Sequence, residues 1–147
     1  MVIYFGKCSL MLLLAFLMVF NSYANPQYNP LIVSKVISVY DGDTFRVNID
    51  SLPPIIGQNI AIRVNGIDTP EIRGKCKKEK ELAINARDFV RNLLLKAKVI
   101  KLTNIARGKY FRIVANVLID GDSLEKQVLN KKLAYVYDGG KKLGWCN

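Results

Sequence analysis

The sequence predicts one α+β domain in which five β-strands close as a small barrel under two covering helices. Three changes of hydrophobic period carry this. Between residues 32 and 64 apolar and β-branched residues alternate in three stretches parted by turn signals, as in half-buried strands. From about residue 78 the apolar positions instead recur at three and four, the spacing of one helix face. Two more strand-like stretches and a second amphipathic stretch follow.

Taken in order, residues 32–40 are rich in β-branched residues and run into the turn pair Asp41-Gly42. Phe45, Val47 and Ile49 then alternate with polar residues, so the two stretches read as a hairpin. Residues 51–59 hold Pro53, Pro54 and Gly57 and read as a loop. The alternation resumes at 60–64, and Asp68-Thr69-Pro70 ends it. Leu82, Ala86, Phe89, Val90, Leu93 and Leu94 define a helix over 78–97 that covers the barrel. Residues 99–103 and 112–119 are the last two strands, with Asp120-Gly121 as the loop after them. Asp122 and Glu125 resemble a capping box for a final helix, whose apolar face is Leu124, Val128, Leu129 and Leu133.

The N-terminus is read apart from this domain. Residues 1–24 carry Lys7, the apolar run 10–20 and then Ser22-Tyr23-Ala24, the pattern of a signal peptide cleaved after Ala24. The run is about half the ~20 residues of a spanning helix, which argues against a membrane anchor. The expectation is an exported protein, periplasmic or extracellular, with no stable membrane association after cleavage. Residues 25–30 are a flexible lead, and 31–147 form the domain. Nothing in the sequence decides oligomeric state, so a monomer is the default.

The formal charge is +10, and cleavage after Ala24 would remove one Lys and no acid, leaving +9 over 123 residues. Such a field attracts polyanions. Nucleic acid and anionic membranes both qualify, and charge alone does not choose between them. Within the helix, however, Glu79, Glu81 and Asp88 interrupt the cationic face that a membrane-surface helix requires. Cys76 and Cys146 are the two cysteines left after cleavage, an even count that predicts a disulfide in an oxidising compartment. The chain has no histidine, which excludes imidazole-based triads and histidine-dependent nucleases. Hydrolysis would have to rest on carboxylates, arginines, tyrosines and a hard cation held by oxygen.

Three stretches suit that chemistry: Asp41-Gly42-Asp43-Thr44, Arg63 followed by Asp68-Thr69-Pro70-Glu71, and Lys109-Tyr110-Phe111-Arg112. In this order and spacing, with Ala134-Tyr135-Val136-Tyr137 as a fourth match, they resemble the thermonuclease (staphylococcal-nuclease-like) family. The resemblance implies an OB-fold-type barrel and a calcium-dependent nuclease that cuts DNA and RNA with little sequence preference, leaving 3′-phosphate ends. It makes Asp43, Asp68 and the Thr69 carbonyl the Ca2+ ligands. It also casts Glu71 as the residue that orients or deprotonates the attacking water, and Arg63 and Arg112 as the phosphate clamp. Carboxylate and carbonyl oxygens are what calcium prefers, and a guanidinium fork meets phosphate oxygens in pairs.

By the same resemblance Lys109, Tyr110, Tyr135 and Tyr137 hold the substrate's terminal phosphate and base, where an aromatic face accepts any base by stacking. A module of this fold that binds single strands without cutting is the alternative reading. It has no need of Asp43, Asp68, Glu71, Arg63 and Arg112 together. The chain departs from the family at Phe111, where glycine is frequent. It also reaches Asn147 without the family's C-terminal helix, a loss that a Cys76–Cys146 bridge would offset.

Overall fold

The computed structural model describes residues 29–146. The expected signal peptide and most of the flexible lead lie outside them. The strands are β1 (Leu31–Ile32), β2 (Lys35–Val39), β3 (Thr44–Asn48), β4 (Ile60–Val64), β5 (Ile67–Asp68), β6 (Ile100–Arg107), β7 (Ile113–Ile119), β8 (Asp122–Ser123) and β9 (Tyr135–Val136). The helices among the described residues are α1 (Pro54–Gly57), α2 (Lys77–Lys96) and α3 (Leu124–Asn130), with a 3-10 turn at Lys109–Phe111.

The main sheet runs β1-β6-β7-β4-β3-β2, with β8 on β7, while β5 pairs with β9. One local break curls it. The single strand expected over 32–40 divides at Val33 and Ser34: Val33 N–H donates to Ile100 O at 3.0 Å, while Ser34 N–H donates to Asn48 O at 2.9 Å. Consecutive residues thereby bond to opposite sides of the sheet, drawing its two ends together as a small OB-type barrel. β4 and β7 are parallel, with Arg63 opposite Val114.

The alternation read in the sequence is the inside-outside alternation of this barrel. Phe45, Val47, Ile49, Ile62, Leu102, Ala115 and Val117 are fully buried, and Val90 and Leu94 of α2 and Leu124 and Val128 of α3 close the core. The five expected strands are the barrel strands, and the two covering helices are α2 and α3. The short β5, β8 and β9 and the one-turn α1 lie beyond that expectation. α1 forms where a loop was expected because Pro54 supplies a helical φ in its first turn.

α3 is capped by Ser123, not Asp122: the Ser123 hydroxyl accepts from Lys126 N–H at 3.1 Å. Asp122 is taken up by β8. Glu125 turns inward instead of completing a capping box and accepts from Val117 N–H at 2.9 Å.

After β9 the chain carries no helix or strand up to residue 146, and its end is fixed covalently by the Cys76–Cys146 disulfide, 70 residues apart in sequence. Trp145, next to the bridge, is buried and stacked on Tyr135 at 4.0 Å between ring centroids. Closing a loop of this length stabilises by about 4 kcal/mol in the chain-entropy model. Reduction should therefore shift the urea midpoint downward by the equivalent of several kcal/mol. An unchanged midpoint would show that the tail contributes nothing to the fold.

Candidate active site

The β2-β3 turn and the chain leaving β4 bring the acidic residues together. Asp41, Asp43 and Asp68 are each 4% exposed or less, and Thr69 is 1% exposed. Gly42 permits the turn to lie this deep, since a Cβ there would fall 2.8 Å from Thr69 Cγ2 and 2.9 Å from Ala86 Cβ. Asp43 N–H donates to Asp41 Oδ1 at 3.1 Å, and the Thr44 hydroxyl donates to Asp43 Oδ1 at 3.0 Å. Thr69 N–H donates to Asp43 Oδ2 at 2.9 Å. The two motifs, 26 residues apart, are thus joined through one carboxylate.

Arg63 extends from β4 into this cluster. Its Nη1 is in ion-pair contact with Asp43, its Nη2 lies 3.6 Å from Asp68 Oδ1 and donates to Ile67 O at 3.0 Å. Burial draws the guanidinium pKa below its ordinary value, opposed chiefly by Asp68 and then Asp41; Arg112 pushes in the same direction as burial. Arg112 is therefore within electrostatic reach of Arg63, while the β4-β7 register sets Val114 directly opposite Arg63.

Glu71 is half-exposed, on a loop organised by a residue that sequence reasoning left unassigned. The buried Glu79 carboxylate accepts from Lys75 N–H at 2.8 Å and from Glu71 N–H at 3.5 Å. Gly74 is needed there because a Cβ would sit 2.5 Å from the Glu79 side chain. The signal was legible: Cys76 caps α2 by accepting from Glu79 N–H at 3.4 Å, a capping-box spacing with cysteine in place of serine. A second unassigned residue, Lys142, places Nζ 2.8 Å from Asp68 Oδ1 and 2.9 Å from Glu71 Oε1. No periodicity or motif marks a lysine in the tail as part of a site.

The expected substrate residues are placed unevenly. Tyr135 pairs with Asp68 across β5 and β9, so it borders the carboxylates, and Trp145 covers one of its faces. The Tyr137 hydroxyl donates to Gly140 O at 3.2 Å. Lys109 and Tyr110 are exposed on the turn before Arg112, which lies over the Tyr110 ring at 5.8 Å. Phe111 has a φ of 58°, in the left-handed region that glycine tolerates better. The Arg107 guanidinium lies 4.4 Å over its ring, an interaction that glycine could not make.

The donor set fits a hard divalent cation. It offers carboxylate oxygens from Asp43 and Asp68 without histidine, and two buried oxygens, Asp68 Oδ1 and Thr69 Oγ1, lack an aligned hydrogen bond. Asp68 Oδ1 does contact Lys142, in ion-pair range but without hydrogen-bond alignment. An OB-type barrel with buried acids and two arginines at its edge has the parts of a phosphate-directed hydrolase. The chain belongs to the staphylococcal nuclease homologue family, whose model matches residues 61–143. Membership makes it a nuclease, with nucleic acid as its substrate. Comparison with curated proteins gave no match. The matched span includes Arg63, Asp68, Glu71, Arg112 and Lys142; Asp43 lies before it and is tied to it by the Thr69 hydrogen bond.

Asp41 carries the clearest pH signature. Burial first, then Glu71, raises its pKa from 3.8 to about 6, with Arg63 opposing. A carboxyl whose folded pKa exceeds its unfolded one favours folding below pH 3.8, and that contribution is lost as pH rises through 6. In chelator-treated protein Asp41→Asn should therefore gain stability at pH 8, on the order of 2 kcal/mol, and little at pH 4. Thermal melts at the two pH values test this, and equal effects at both would contradict it.

Proposed function

We propose that this nuclease is a calcium-dependent phosphodiesterase, exported by the segment 1–24 to the periplasm or the medium, that cuts DNA and RNA as a monomer and leaves 3′-phosphate ends. The observation carrying this reading is the Arg63 guanidinium set against Asp43 and Asp68, with Arg112 and Glu71 in the same electrostatic cluster. Asp43, Asp68 and the Thr69 carbonyl would hold the ion. Bound calcium would supply charge to neutralise phosphate oxygens and a position for the attacking water.

The protein groups divide the rest of the reaction. Arg63 and Arg112 donate paired hydrogen bonds to non-bridging phosphate oxygens, whose charge grows as the phosphorus becomes five-coordinate. Arg63 is preorganised, since the buried carboxylates fix its plane before substrate arrives. Glu71 accepts a hydrogen bond from the water, orients it toward phosphorus and takes its proton as the O–P bond forms; the bond from phosphorus to the 5′ oxygen breaks, and that oxygen leaves protonated from solvent. The net charge, +10 for the full chain and +9 after loss of residues 1–24 with its one Lys and no acid, draws nucleic acid in without regard to sequence. Tyr135 and Tyr110 offer stacking surface, and Lys109 meets a terminal phosphate.

Glu71→Gln should lower the single-turnover rate on single-stranded DNA with calcium by about 10²–10⁴-fold while leaving binding nearly unchanged. Chelator should abolish cleavage by the parent protein. Salt-sensitive binding without cutting under calcium, magnesium or chelator would favour the binding-module reading instead.

A further inference from the structure

The Lys142 ammonium touches one expected calcium ligand, Asp68, at 2.8 Å and the expected water-orienting residue, Glu71, at 2.9 Å. Its side chain is 48% exposed, whereas that of Asp68 is 4% exposed, so the lysine reaches inward from solvent.

The tail that carries it is pinned on both sides. Before it, Tyr137 N–H donates to Gly66 O at 3.0 Å, and Asp138 Oδ1 accepts from Gly140 N–H at 3.0 Å. After it, Trp145 stacks on Tyr135, and Cys146 is bonded to Cys76 at the start of α2. The backbone at 142 is therefore held near the cluster, which keeps the local concentration of this ammonium high. Only its flexible side chain is free to leave.

We propose that Lys142 is a tethered internal cation of the metal site, holding Asp68 and Glu71 together until calcium displaces it. The inference rests on the calcium reading above. Calcium binds carboxylate oxygens at about 2.3–2.6 Å, and an ammonium on the same oxygen lone pairs would be repelled by it. The two cations compete. Calcium affinity is thereby held below what the bare carboxylates would give, and ion binding releases the lysine toward solvent beside the site.

Titration calorimetry of calcium into chelator-stripped protein tests this. Lys142→Gln should bind calcium about ten-fold more tightly than the parent. Lys141→Gln removes the same charge from the exposed neighbouring residue and should change affinity by less than about two-fold. Equal or weaker binding by Lys142→Gln overturns the proposal, as does an equal gain from Lys141→Gln. Lys142 should also become more reactive toward an amine-acylating reagent when calcium is added, read by mass spectrometry; unchanged reactivity overturns the displacement. Absence of calcium binding in all three proteins would instead contradict the calcium reading, and the proposal with it.

Discussion

Burying charge without compensation is among the largest penalties a fold can carry, and this barrel removes three carboxylates from water at one edge. Arg63 makes that arrangement possible. Its guanidinium contacts Asp43, lies close to Asp68 and fixes the backbone at Ile67, so one side chain joins the β2-β3 turn to the chain leaving β4. The surrounding features serve this junction: Gly42 allows the close approach, Thr69 N–H completes Asp43, and Arg112 lies within electrostatic reach.

Around the junction lies a second layer built by the end of the chain. Glu79 holds the Glu71 loop from beneath, and the disulfide fixes residue 146 to the first residue before α2. The tail then returns Lys142 to Asp68 and Glu71. Fold stability, loop order and access to the carboxylates therefore meet in one short segment, although that segment contains no helix or strand after β9.

Much of this was legible in the sequence because barrel burial is periodic. Phe45, Val47 and Ile49 announced an inward face, and the three-four spacing over 78–97 announced α2 nearly to the residue. The Asp-Gly-Asp-Thr and Asp-Thr-Pro-Glu stretches stood out through their resemblance to the family, since turn chemistry alone accounts for the same residue types. What escaped depends on contacts distant in sequence. Lys142 meets Glu71 across 71 residues, and the division of the first strand depends on hydrogen bonds to Ile100 and Asn48. The inward turn of Glu125 is similar, since a local capping rule competes there with the unpaired N–H of Val117.

The carboxylates gathered around Arg63 are proposed to hold calcium. A crystal structure of the protein grown with calcium and a non-cleavable nucleotide would test this most directly. The expected result is an ion in contact with Asp43 and Asp68, a phosphate between Arg63 and Arg112, and Lys142 withdrawn from Asp68. Calcium bound elsewhere, or a phosphate seated away from both arginines, would contradict it.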